Sequence, residues 1–274
     1  MKTEAERRTG NPLSFLIRII IGVVVLGYVA LRHPAELFHT IGNARPGWLL
    51  LAAAFLFAGV GVSALRWRAY LDALEISLPL RTLLRLYFVG TFFNAFLPTG
   101  IGGDAYKAVR IGKSGRSGAL AFSSVFLDRF AGIVALGVMG FAGILIALAQ
   151  GVHHSRVLIL AAVLSAGIVL GAAVLLLFGD KLIARFVPDR SWGSSIRRAM
   201  RGIHEAGRHP GASARGYAYG LAFDLLVLAE HVALARALGI GSVAIAVMAA
   251  IVVIAFMATL LPTPNGLGFR EAAY

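Results

Sequence analysis

Four stretches of this chain, 47–65, 130–149, 157–178 and 240–261, run for 19, 20, 22 and 22 residues without a single Asp, Glu, Lys or Arg. A fifth, 216–235, is 20 residues long and carries only Asp224, Glu230 and His231 as polar titratable groups. About 20 apolar residues in a helix rise far enough to cross the ~30 Å hydrocarbon core of a bilayer. A water-soluble fold has no use for five such runs. Its surface would need polar cover, and only 14 % of these residues are charged against about 25 % in a soluble domain. A sixth run, 13–31, follows a basic start containing Lys2, Arg7 and Arg8. It exceeds the ~7–15-residue core of a signal peptide, and no A-x-A pattern follows, so it reads as an uncleaved first transmembrane helix. Arg18 lies one turn inside it, where its stem can snorkel to the headgroups.

The cations orient these segments. Lys and Arg number 26 against 13 Asp and Glu, a net charge of +13. With 1–12, 66–81, 98–118 and 179–215 on the cytoplasmic side, those segments hold 18 cations, whereas 32–46, 150–156 and 236–241 hold 4. That bias fits the positive-inside rule and places the N-terminus in the cytoplasm of a cell (inner) membrane protein. The same rule accounts for the basic balance without nucleic acid as partner. The bias holds only if the run 86–97 enters from the cytoplasm and returns to it. A 12-residue helix reaches about 18 Å, half a bilayer. It stops at Pro98-Thr99-Gly100-Ile101-Gly102-Gly103, a sequence that breaks a helix. The segment is therefore expected to be a re-entrant hairpin whose tip is buried in protein or lines a cavity.

A related segment recurs late in the chain. Leu97-Pro98-Thr99-Gly100-Ile101-Gly102-Gly103-Asp104 is echoed by Leu261-Pro262-Thr263-Pro264-Asn265-Gly266-Leu267-Gly268. Each closes an apolar helix with Leu-Pro-Thr, turns on glycines and leads into charged residues. Pro98, Gly100, Gly102 and Gly103 form the first turn, and Pro262, Gly266 and Gly268 the second. Interrupted apolar segments in two halves point to a transporter site. The second segment enters from the opposite face, which suits an inverted repeat. The predicted fold class is thus all-α: a polytopic integral membrane protein of about six spans plus re-entrant half-helices.

Charges inside apolar sequence nominate the site, because each costs about 2.5–3.5 kcal/mol at the bilayer centre. Asp128-Arg129 interrupts the apolar stretch 119–149. Neighbours on a helix point about 100° apart, so the two are expected to find separate partners. Asp104, Lys107 and Arg110 gather on the same side of the membrane. The expected arrangement is a polar cavity in which Arg110 and Arg129 cradle a phosphate and Asp104 meets an amine or orients an arginine. Asp224 and Glu230 are candidates for proton coupling, with a structural ion pair to an arginine of a neighbouring helix as the competing reading.

Other signals are rejected. Gly100 to Ala105 fits G-x-G-x-x-A but lacks a βαβ unit, and Gly112-Lys113-Ser114 lacks the upstream glycine of a phosphate-binding loop. His153-His154 lacks a carboxylate to complete a metal site. The chain has no cysteine, which excludes disulfides, thiolate metal sites and thiol nucleophiles. No cofactor or metal is expected. The pairs Gly167/Gly171 and Gly216/Gly220 are GxxxG motifs suited to close helix packing. In 179–215, Ile196, Met200 and Ile203 share a face among Arg197, Arg198, Arg201 and Arg208. That segment reads either as a basic amphipathic helix on anionic inner-leaflet lipid or as a solvated loop.

The ordered set Leu97 to Asp104, Arg110, Asp128-Arg129, and Pro262 through Gly266-Leu267-Gly268-Phe269-Arg270-Glu271 resembles the lysylphosphatidylglycerol synthase transmembrane-region family. That family includes the flippase half of the multiple peptide resistance factor. The resemblance spans nearly the whole chain. It implies an all-helical membrane domain over 1–274 that moves an aminoacylated phospholipid, such as lysylphosphatidylglycerol, between leaflets. It also implies functional roles for Asp104, Arg110, Asp128, Arg129, Arg270 and Glu271. Pro264-Asn265 departs from the family's Gly-rich pair, and family members continue through further helices beyond the position of Tyr274. No synthase domain accompanies this region, so aminoacylation is not implied. The expected partners are membrane phospholipids and a second copy of the chain or a biosynthetic enzyme. The alternative function is a membrane enzyme or accessory subunit acting on lipid or polyprenyl-phosphate glycolipids.

Overall fold

A computed structural model describes residues 39–40, 42–96, 102–112, 118–151, 156–186, 200, 203–204, 208–240 and 244–259. The described residues form helices and turns, with no strand among them. Seven helices organise them: α1 Pro46–Ala73, α2 Leu80–Phe96, α3 Gly102–Gly112, α4 Gly118–Ala149, α5 Arg156–Phe186, α6 Pro210–Ala237 and α7 Ile245–Thr259. Helices α1, α4 and α6 are apolar and long enough to cross a membrane, and so is the 156–175 portion of α5. The chain is a multi-pass membrane protein. The predicted span 13–31, the turn residues Pro98, Gly100, Pro262, Gly266 and Gly268, and Arg270 and Glu271 lie outside the described residues.

The helices outrun the uncharged stretches that announced them. Helix α1 continues eight residues past 65, α2 starts at Leu80 rather than 86, and α4 starts at Gly118 rather than 130. Helices α5 and α6 likewise take both ends of the stretch read as a loop over 179–215. A backbone helix need not stop where charge begins, provided that each charge finds water or a partner. Helix α1 opens with proline at its first turn, where no backbone donor is missed. It ends where Glu75 takes the left-handed conformation at φ 56° and Ile76 N–H donates to Leu71 O at 2.8 Å.

Two ends of the bundle can be distinguished. At one, Leu74 and Ile76 after α1, Leu83 of α2, Ile111 of α3 and Ala121 of α4 share a single apolar cluster. The α2–α3 segment therefore leaves and returns at the same end, as a re-entrant hairpin must. At the other end Arg45 N–H, before α1, donates to Ala237 O of α6 at 2.9 Å. There Ala147 of α4, Leu158 of α5 and Ala246 of α7 form a second cluster. Helix α7 thus enters from the end opposite the hairpin. Its 15 residues reach about 22 Å, short of a full crossing.

Small residues let the helices close. An added Cβ at Gly220 of α6 would lie 2.9 Å from Ala135 Cβ and 3.0 Å from Ala131 O of α4, and one at Gly216 would enter the Tyr70 ring of α1. The Gly216/Gly220 pair therefore packs as its spacing predicts. Gly167 and Gly171 face open space among the described residues and seat no helix there. Large apolar side chains such as Leu50, Phe57, Leu145, Ile159, Val163 and Leu170 point outward instead. Ile203, placed on an amphipathic face from sequence, packs against the hairpin-end cluster.

Candidate functional site

The hairpin carries charge in among the long helices. Asn94, near the end of α2, accepts a hydrogen bond from Gly103 N–H at 2.7 Å and so caps the start of α3. Gly103 packs against Gly90 so closely that an added Cβ would overlap the Gly90 carbonyl. Phe93 lies against Tyr106, their ring centroids 5.2 Å apart. This approach fixes α3 with Gly103, Lys107 and Ile111 inward on one stripe, at i, i+4 and i+8.

An alternating chain of charge follows, Arg66–Asp128–Lys107–Asp104–Arg129, joining α1, α4 and α3. Arg66 Nε meets Asp128 Oδ1 at 2.8 Å, and Lys107 Nζ lies 3.5 Å from Asp128 Oδ2. Lys107 Nζ is 3.0 Å from Asp104 Oδ1, and Arg129 Nε is 2.6 Å from Asp104 Oδ2. The Tyr87 hydroxyl donates to Asp128 Oδ2. Lys107 also sits over the Tyr87 ring, 4.1 Å from its centroid, and 5.1 Å from that of Trp67. Trp67 Nε1 donates to Ser124 Oγ at 3.2 Å, tying α1 to α4 beside the ion pairs. Asp128 is 0 % exposed, Lys107 2 % and Arg66 5 %. Asp128 and Arg129 do take separate partners, as their angular separation requires.

The chain has three cations and two anions, a surplus of one positive charge. Its direction is as informative as its sign. A cavity of about 320 Å³ is lined by Arg66, Lys107 and Arg129, together with Ser63, Thr91 and Asn94. Asp104 and Asp128 do not line it. The carboxylates hold the cations from behind and leave their free donors toward the space. Arg66 Nη1 is buried without a hydrogen-bond partner among the described residues. Gly132 makes room for it: a Cβ there would lie 2.5 Å from Nη1 and 3.0 Å from Cζ. A buried cationic donor left open in a cavity wall is suited to an anionic ligand.

Helix α6 brings Asp224 and Glu230 to the same cavity. Asp224 is 4 % exposed and forms no ion pair among the described residues, so the arginine bridge weighed for it is not made there. Its Oδ2 also lacks a hydrogen-bond partner among those residues. His231 Nδ1–H donates to Val227 O at 2.7 Å. Among the described residues no group of three His, Cys, Asp or Glu stands close enough to hold a metal ion.

Of the sequence-nominated residues, the structure brings Asp104, Lys107, Asp128, Arg129, Asp224 and Glu230 into or behind one cavity. Arg110 is exposed on the outer side of α3 and does not line it. The second arginine lining the cavity is Arg66, which sequence reasoning left out, as it did Tyr87. Arg66 falls just past an uncharged run and counts there as a loop cation. Its signal was the stripe Gly59, Ser63, Arg66, Trp67 and Tyr70, small and aromatic residues at helical spacing on one buried face.

The lysylphosphatidylglycerol synthase TM region family matches residues 15–274. The chain belongs to that family. An archaeal relative in Methanothermobacter thermautotrophicus, named as a UPF0104 membrane protein, is 31 % identical over 116 residues. That match covers 41 % of this chain and 34 % of the relative, so the chain spans about a third of the relative's length. No solved structure matches the chain. As a family member, it carries its charged chamber on the hairpin α2–α3 and helices α1, α4 and α6.

Proposed function

We propose that this protein carries the phosphate-bearing headgroup of a membrane phospholipid between leaflets. The observation that supports this most directly is the cavity lined by three cations whose counter-ions Asp104 and Asp128 stand behind them. A lipid phosphate entering it gains charge-assisted hydrogen bonds from Arg66 and Arg129, with Lys107 as a point charge. Asp104 and Asp128 keep those side chains in place when the site is empty. Asp224 and Glu230 offer a carboxylate surface to an amine, which suits an aminoacylated headgroup such as that of lysylphosphatidylglycerol. The hairpin and α7 approach from opposite faces, and rocking one against the other would expose the chamber alternately.

The test is headgroup translocation in proteoliposomes with labelled phosphatidylglycerol and its lysyl form. Arg66→Gln and Arg129→Gln each remove a charged donor worth about 1.5–3 kcal/mol, so each variant is expected to slow transport roughly ten- to a hundred-fold. Both must still elute and melt as folded protein. Wild-type transport of neither lipid, or variants that keep pace with wild type, would refute the proposal and favour the enzyme or accessory role.

A further inference from the structure

A second cavity, about 600 Å³, runs between α6 and α7 and is predominantly apolar. It shares Phe223, Asp224, Val227, Glu230 and Phe256 with the charged chamber, so the two spaces adjoin through one wall. From there it passes Leu234, Met248 and Ile251 to Leu238 and Ile240, which are exposed. Asp224 to Leu238 is about 21 Å of helix. One leaflet of hydrocarbon is roughly 15 Å deep, half of the ~30 Å core. The groove therefore runs from mid-depth to the face where α6 ends and α7 begins, the face opposite the hairpin's base.

We infer that this groove is an acyl-chain subsite, holding one chain of the phospholipid whose headgroup occupies the chamber. The inference rests on the headgroup reading above and adds where the tail lies. A lipid resting in the hairpin-side leaflet points its tails toward the midplane. If its headgroup rises to mid-depth without turning over, those tails must extend into the opposite half of the membrane. The α6–α7 groove occupies that half and meets the chamber where the glycerol would sit. Beyond Asp224, Glu230 and His231 its lining is apolar, so the tail is taken away from the polar chamber. Asp224 and Glu230 stand at the junction, so the polar end of the ligand is held there and the hydrocarbon passes beyond them. The groove thereby fixes which leaflet loads the chamber: the one on the hairpin side.

Two photoactivatable phosphatidylglycerols test this in the full chain reconstituted in nanodiscs, with crosslinked peptides mapped by mass spectrometry. One carries a diazirine beside the headgroup and the other at the end of an acyl chain. The expected result is headgroup labelling around Ser63–Arg66 and Phe223–Asp224, with tail labelling at Leu234, Leu238, Met248 or Ile251. Tail labelling should be lost in Ile251→Trp, which fills the groove, while headgroup labelling persists. Arg66→Gln should abolish both. If the headgroup label reaches the chamber but the tail label scatters over outward residues such as Ile159 and Leu170, the groove assignment is wrong and the chamber reading survives. Failure of the headgroup label to reach the chamber removes both. With p-benzoylphenylalanine placed at position 251 in place of the lipid probe, a crosslink to the chain's own 260–274 segment, or to a second copy, overturns the subsite in favour of a protein occupant.

Discussion

Replacing Asp128 with Asn isolates what the central carboxylate does. Asp128 is fully buried and accepts from Arg66 Nε at 2.8 Å and from the Tyr87 hydroxyl, with Lys107 Nζ at 3.5 Å. Asparagine keeps the shape but removes the charge and puts an amide donor where one carboxylate oxygen stood. Arg66 then loses its ion-pair partner, Lys107 and Arg129 keep Asp104, and the cluster's surplus rises from one positive charge to two. Breaking a buried ion pair by removing one partner costs about 3–5 kcal/mol, because the other charge stays buried. For a chain of this size that corresponds to roughly 6–20 °C in melting temperature. The assay is thermal unfolding in detergent, followed by intrinsic tryptophan emission, since Trp67 adjoins the cluster. Asp104→Asn supplies the internal comparison. Of its two partners, buried Lys107 keeps Asp128, and Arg129 has a side chain 39 % exposed, so solvent screens that pair and the loss should be smaller. The double change Asp128→Leu with Arg66→Met should recover most of the stability lost by either single change, because no charge is then stranded between α1 and α4. Should Asp128→Asn melt within about 1–2 °C of wild type, a shift worth less than 1 kcal/mol, the ion pair is not held as the geometry requires and the reasoning fails.

Gly132→Ala is expected to push the Arg66 guanidinium out of place, since its new Cβ would lie 2.5 Å from Nη1; overpacking of this kind costs about 1–3 kcal/mol and shows in the same melts. Gly220→Leu should separate α6 from α4, where even a Cβ meets Ala135 Cβ at 2.9 Å, and is checked by the loss of folded protein on gel filtration. Asn94→Ala removes the acceptor for Gly103 N–H and should destabilise the hairpin by about 1 kcal/mol, with Asn94→Asp restoring it, as read by protease protection of α2–α3. Arg110→Gln, at an exposed position that does not line the chamber, should leave lipid translocation at the wild-type rate.

Much of this molecule is legible in one dimension because a bilayer enforces a crude rule. A spanning helix must be long and apolar, and charge placed within one must be compensated. Runs of 19–22 uncharged residues and the 12-residue apolar segment closed by Pro98-Thr99-Gly100 therefore pointed to α1, α4, α5 and the hairpin, while the run 240–261 gives in α7 a helix short of a full crossing. Asp104, Lys107, Asp128 and Arg129 were conspicuous for the same reason. Helix ends were read less well. An uncharged run ends at its first charge, whereas α1 continues through Arg66 and Arg68 to Ala73. That difference turned a central arginine into an apparent loop residue.

The sequence by itself determined the class of fold, the interrupted segment of α2 and α3 and the presence of charge within apolar sequence, since each follows from local hydropathy and backbone breakers. Only tertiary structure decided which charges meet. Arg66 and Asp128 are 62 residues apart, and Lys107 and Asp128 lie on different helices. Their pairing depends on close helix approach at Gly90, Gly103, Gly132 and Gly220, and a sequence does not say which faces those glycines bring together. The direction of the charges was likewise a matter of packing. Asp104 and Asp128 stand behind Arg66, Lys107 and Arg129, and the same residues facing the other way would not leave three cations in the cavity wall.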